Sequence, residues 1–389
     1  MITTSANVTT SARAVLRSNV AAARLDVELA FGRFTLAMPR DTRKRLVQGW
    51  FALGIAALAA SGLLAVLLVA SRTPGVAGLF PVAGFFHTAL VAHVDLSVLV
   101  WFAACACALW SANSTTRLLP LGWTALAAAA VGAAAMAVAP FVPGTPIMAN
   151  YVPVIESPVF LGGLALFGAG LVLAVARSLF ASSRVGLRLD GGGALRFGLS
   201  GAAVATAVAF LALAASFAGL PRDIDGKAYY ELLFWGPGHV LQFAWTLVML
   251  VGWLLLADAT GARVPLSSRV VALLFGIGVA CVFATPLIYL ARGVTSVEHH
   301  RLQTWLMRFG GALAIAPVAI AVAWALARSR RRLRDPASRP LAASLVASIA
   351  LFGVGGAIGF AIHGSDVRIP AHYHGSIVGV TIALMGAVY

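Results

Sequence analysis

Six of the eight histidines fall in four short motifs: His93, His239, the doublet His299-His300, and His372-Tyr373-His374. Imidazole is a ligand for haem iron and for non-haem metals. His372 and His374 are two residues apart, about 200° of rotation on an α-helix, so their rings point to opposite faces. One helix can then ligate two haems, one on each side. A haem with two histidines suits electron transfer, and a haem with one keeps an open position for a small gas. His93 can supply the opposite axial ligand to one of the two. His299 and His300 are adjacent, and both reach one metal if they lie at an irregular helix start. With His239 they make three imidazoles, a set that suits copper, iron or zinc and leaves a position free. Such a metal facing an open haem position forms a binuclear pocket for a diatomic ligand. His87, alone in its motif, reads as a helix–helix contact, and His363 lies just outside a span.

The elements that hold these residues are apolar. Of 389 residues, 60% are hydrophobic and 11% charged, against roughly a quarter charged in soluble domains. The fold class is therefore all-α, a polytopic transmembrane bundle. About ten spans are legible, near 47–71, 83–111, 119–140, 153–178, 196–219, 229–257, 268–291, 301–327, 341–362 and 370–389. Breakers separate them, among them Arg72-Thr73-Pro74-Gly75, Pro143-Gly144-Thr145-Pro146 and Asp190-Gly191-Gly192-Gly193. Residues 1–46 form a basic cytoplasmic segment without the compact apolar run of a cleavable signal. Residues 47–389 form the membrane domain. The formal charge of +15 sits in loops, where topology and anionic lipid headgroups explain it better than nucleic acid. Cys105, Cys107 and Cys281 lie inside apolar spans and give neither a disulfide framework nor a CxxCH haem site.

Loop charges orient the chain. One side holds Arg13, Arg17, Arg24, Arg33, Arg40, Arg43, Lys44, Arg45, Arg117, Arg177, Arg184, Arg188, Arg196, Arg263, Arg269 and the run from Arg328 to Arg339. The other holds Arg72, Arg222, Lys227, Arg292, Arg301 and Arg368. This puts the N-terminus in the cytoplasm, and spans two, six, eight and ten, which carry the histidine motifs, begin on the outer side. Arg308 sits inside span eight, a functional hint by default. The chain stops at Tyr389 within an apolar helix, which reads as a fragment lacking further spans.

At these residues the chain resembles subunit I of the haem–copper oxidase superfamily, which includes oxygen reductases and nitric oxide reductases. Ala371-His372-Tyr373-His374 resembles the tenth-helix motif, Ala92-His93-Val94-Asp95-Leu96 the second, Gly238-His239 the sixth, and His299-His300 the doublet before helix eight. The resemblance covers about residues 47–389 and implies two b-type haems. His93 and His374 would hold a low-spin haem, His372 a high-spin haem, and His239, His299 and His300 a non-haem copper or iron. His363 and Asp366, with Arg368 beside them, echo a pair near haem propionates. Members commonly have twelve spans.

The departures bear on the gas. Oxygen reductases place a redox-active tyrosine four residues after the sixth-helix histidine, here Phe243, or after the doublet, here Arg301, Leu302 and Gln303. Neither motif has one. One-step O–O cleavage takes four electrons and the tyrosine usually lends one, whereas reducing two NO molecules takes two. The well-known nitric oxide reductases carry a glutamate at the position of Phe243, also missing, and Gln242 can supply a polar group. The carboxylates Asp95, Glu156, Glu231 and Glu298 lie towards the outer side, where they could pass protons as in non-pumping nitric oxide reductases.

The expectation is thus a respiratory terminal reductase in a bacterial inner membrane. It takes electrons from a cytochrome c-like donor or a second subunit. NO reduction to N2O is preferred, and O2 reduction to water is the alternative. A non-catalytic dihaem electron-transfer cytochrome is the reading from another class, and a histidine-lined transporter is a third.

Overall fold

The computed structural model describes residues 33–80, 84–183, 185, 189–329, 335–363 and 366–388. Expectations placed on Arg13, Arg17, Arg24, Arg184, Arg188, Arg330 to Arg334 and Tyr389 lie outside them. Ten helices follow in order: α1 Arg43–Ala70, α2 Phe85–Asn113, α3 Leu119–Phe141, α4 Pro158–Ala181, α5 Gly191–Gly219, α6 Gly226–Ala259, α7 Ser268–Ala291, α8 Val297–Arg328, α9 Arg339–Phe360 and α10 Arg368–Val388. The first nine are long and apolar enough to cross a bilayer. The tenth opens on the polar His372-Tyr373-His374. Each matches an expected span, and the chain is an integral membrane protein.

The boundaries differ where caps were hidden in turn-like sequence. Asp190 accepts a hydrogen bond from Gly193 N at 2.6 Å, so the glycine run read as a breaker is the first turn of α5. Ser296 accepts from His299 N at 3.1 Å. The doublet therefore sits in the regular first turn of α8, not at an irregular start. Between α3 and α4 a short antiparallel hairpin forms, β1 Thr145–Ile147 against β2 Val154–Glu156, with Thr145 opposite Glu156. That strand is why α4 begins at Pro158 and not at 153.

The centre of the bundle is α6 and α2, whose most apolar stretches are 78% and 67% buried against 22% for α1 and α9. Both central helices carry a histidine motif. At 34 residues, α6 is about 51 Å long, against roughly 30 Å of hydrocarbon. Its early turns can thus extend beyond the membrane core, and His239, fourteenth in the helix, stays near the same end as the doublet. Polar ties join the helices. Trp110 Nε1 donates to Leu199 O at 2.9 Å, linking α2 to α5. Trp253 Nε1 donates to Ser348 Oγ at 2.7 Å, and Ser348 donates on to Gly379 O at 2.6 Å, linking α6, α9 and α10.

The α3–α4 pair meets backbone to backbone. A Cβ on Gly132 would stand 2.4 Å from Phe167 N and 2.5 Å from Gly163 O, and neither can yield without parting the helices. Gly132→Leu is expected to cost about 1–3 kcal/mol or more of stability and to lower the melting midpoint; an unchanged midpoint would contradict this packing.

Arg308 has a structural use. Its Nη2 donates to Gly359 O at 3.3 Å near the C-terminal end of α9, and its guanidinium lies 5.8 Å from the Phe360 ring centre. A cation is stabilising at a helix C-terminus. His87 is exposed with its ring edge-on to Phe86 at 5.2 Å, so it is not the helix–helix contact expected of it.

Candidate metal centre

Five of the six motif histidines use Nδ1 in the same way. Nδ1 of His93 faces Ser61 O at 2.9 Å, that of His239 Trp235 O at 2.7 Å, and that of His300 Ser296 O at 2.9 Å. Nδ1 of His372 faces Gly355 O at 2.7 Å and that of His374 Pro370 O at 2.7 Å. A carbonyl only accepts, so Nδ1 carries the proton and Nε2 keeps its lone pair. Metal-ligating histidines are commonly fixed in this way. His299 is the exception: its Nδ1 is buried without a partner. In donor chemistry the six residues fit haem and non-haem metal ligation.

His239, His299 and Gln303 are buried, at 2%, 1% and 0% exposure. The Trp235 ring joins the group, its centre 4.9 Å from His239 and 5.1 Å from His300, while its Nε1 donates to His300 O at 3.2 Å. His299 and His300 lie within electrostatic reach of His239, and their own ring centres are 6.0 Å apart. The three are neighbours, but among the described residues no three His, Cys, Asp or Glu side chains are drawn into metal-holding geometry. A reason is visible at His239, whose Nε2 accepts a hydrogen bond from Tyr151 Oη at 3.0 Å.

Tyr151 was missed in the sequence. It sits in the turn of the β1–β2 hairpin with φ of +68°, an unfavourable conformation for a non-glycine residue. Asn150 holds it there, with N donating to Glu231 Oε1 at 3.2 Å and Nδ2 to Oε2 at 2.8 Å. Gly238 makes room: a Cβ there would stand 2.2 Å from Tyr151 Cγ. Burial above all, then Tyr373 and Glu231, raises the Tyr151 phenol above its ordinary value, partly opposed by the nearby Gln242 amide. The bond to His239 is therefore present below the ordinary tyrosine pKa of about 10 and is lost only as pH rises through the raised value. The ultraviolet difference spectrum between wild type and Tyr151→Phe is expected to show no phenolate below about pH 10; phenolate absorbance there would contradict the burial.

The remaining expected residues divide. Gln242 lies within electrostatic reach of Tyr151, and Glu231 joins the cluster through Asn150. Glu156 lies within electrostatic reach of Tyr230 beside the same hairpin. Asp95 is 1% exposed with both carboxylate oxygens unpartnered, just before a widened π turn at Leu96–Val100. Glu298 is exposed in the first turn of α8. His372 packs on α9, where a Cβ on Gly359 would meet its ring at 2.7 Å, while His374 is exposed. His363 is also exposed. Asp366 accepts from Arg368 N and Nε, each at 2.8 Å, and the guanidinium holds this carboxyl below its ordinary value.

The fold of these ten helices is similar to that of a haem–copper oxidase. A solved heme–copper terminal oxidase dimer has a similar structure, with a TM-score of 0.59 over 90% of this chain and 68% of that one, at 15% sequence identity. At that identity the likeness is one of fold. In sequence, an uncharacterised protein of Aquifex aeolicus (strain VF5) is 29% identical over 348 residues, covering 87% of this chain and 83% of the relative. An uncharacterised protein of Rickettsia prowazekii (strain Madrid E) is 26% identical over 400 aligned positions, covering 88% and 77%. No family model matches the chain.

Proposed function

We propose that this chain is the catalytic subunit of a haem-containing terminal reductase of a respiratory membrane, and that its gas is dioxygen. The observation that carries the first part is the shared Nδ1-to-carbonyl bond, which leaves the Nε2 lone pair of His93, His300, His372 and His374 available to a metal on helices α2, α8 and α10; that of His239 on α6 accepts the Tyr151 hydroxyl. The fold likeness supports it. His93 and His374 would hold a low-spin haem, His372 a high-spin haem, and His239, His299 and His300 a non-haem copper or iron. When bound, these groups would supply electrons and an open coordination position for the gas. A cytochrome c-like donor or a second subunit would deliver the electrons. The chain would lie in a bacterial inner membrane, N-terminus in the cytoplasm.

The choice of gas turns on Tyr151. Reducing O2 to two waters takes four electrons and four protons, and an oxidisable phenol beside the pocket can lend one of each. The motif positions lack a tyrosine, which favoured NO, but the hairpin brings one to His239 from elsewhere. Glu231 holds the hairpin through Asn150, and Gly238 gives the ring its space. Reduction of two NO to N2O and water is the second reading. Glu156 and Glu231 favour it, because they place acidic groups at the hairpin end of the cluster.

Optical spectra of the purified protein test the centre itself. The expected result is two haems per chain, one of which binds CO when reduced. Two six-coordinate haems that bind neither CO nor NO would instead identify a dihaem electron-transfer cytochrome, and a protein purified without haem would revive a transporter.

A further inference from the structure

Four buried polar atoms beside the histidine doublet have no protein partner: His299 Nδ1, Gln303 Oε1 and Nε2, and Thr285 Oγ1. Their residues are 1%, 0% and 1% exposed, respectively. The register of α7 and α8 places them at one level. Gln303 follows His299 by four residues on α8, so the two share a face. Thr285 precedes Tyr289 by four on α7. The Tyr289 ring packs edge-on to His299 at 4.6 Å, and α7 and α8 are consecutive helices joined by the short link 292–296. The turn holding Thr285 is therefore level with the turn holding Gln303. Beyond them the wall is apolar: Cys281 and Phe243 pack on Gly310. A widened π turn at Leu306–Gly310 follows directly, a feature frequent at functional sites.

A buried carboxamide that uses neither its donors nor its acceptor destabilises the fold, and such groups in native proteins are normally bonded, often to ordered water. The chemistry here is specific. The amide offers donors and an acceptor, the hydroxyl offers both, and the imidazole nitrogen offers one or the other. A small ligand that donates and accepts at once matches the chemistry of each of them. We propose that Thr285, Gln303 and His299 hold an internal water beside the non-haem metal site, with Gln303 as its positioning residue. This rests on the metal-centre reading above for its role, which is to hold an exchangeable proton beside the histidine doublet. It does not rest on that reading for its existence.

The test is a density map of the full-length protein at a resolution that shows ordered water, compared with the Thr285→Val/Gln303→Met double variant. The expected result is a peak within hydrogen-bond distance of both side chains, absent in the variant, and a variant that melts no higher than wild type. The Gln303→Met protein is expected to lose non-haem metal to a chelator at least about 10-fold faster. An empty pocket, together with a double variant that melts about 2 °C or more above wild type, would overturn the proposal, because removing unused polar groups stabilises. Wild-type protein that purifies without non-haem metal would defeat the metal-centre reading, while the water peak is still read on its own.

Discussion

Tyr151→Phe is expected to lower O2 turnover by about 10²–10⁴-fold while leaving haem and non-haem metal content at wild-type levels. The phenol meets a candidate metal ligand at 3.0 Å, at His239 Nε2, and its raised pKa keeps the proton in place near neutrality. Phenylalanine keeps the ring that fits against Gly238 and Trp235, so the hairpin should stay seated and only the proton-bearing oxygen is lost. Steady-state turnover alongside metal and haem analysis separates the two effects. Wild-type turnover in Tyr151→Phe would reduce the tyrosine to a packing residue and return the preference to NO. Loss of metal together with turnover would make its role one of holding His239.

His372→Ala and His374→Ala are expected to abolish turnover in different ways. The two rings leave α10 in directions about 200° apart; His372 lies against Gly355 and Gly359 of α9, and His374 is exposed. If each ligates its own haem, each variant loses one of two haems. His372→Ala should lose the CO-binding spectrum and keep the low-spin bands. His374→Ala should lose the low-spin bands, and His93→Ala should match it, because its Nε2 is left free by the bond to Ser61 O. Haem content per chain and the reduced-plus-CO difference spectrum measure this. Identical spectra in His372→Ala and His374→Ala would contradict the division of the motif between two haems.

The ten helices were legible because each is a long apolar run between breakers, a property of local sequence alone. The misread boundaries were turns in which the same residues serve a helix, as Asp190 does in capping α5. The histidine motifs were legible for a similar reason: polar residues stand out in apolar spans. What could not be read was the contact on which the proposed choice of gas rests. Tyr151 and His239 are 88 residues apart, and the tyrosine lies in a loop whose path is set by an Asn150–Glu231 clasp and by the absence of a side chain at Gly238. The loop's position at the histidine end of the bundle was implied by the topology, and an aromatic hydroxyl there was the available signal. Trp235 and Gln303 were missed because an aromatic or an amide in a span reads first as packing; their meaning lies in ring contacts to two histidines and in unpartnered atoms.

The central claim is that the histidine cluster reduces a gas. The direct measurement is consumption of O2, and separately of NO, by the purified complex with an artificial reductant, with products quantified. Rapid O2 uptake to water, at four electrons per O2 and abolished by His300→Ala, is the predicted result. NO consumption yielding N2O with negligible O2 uptake would overturn the assignment of the gas, and a haem-replete complex that consumes neither would contradict the account.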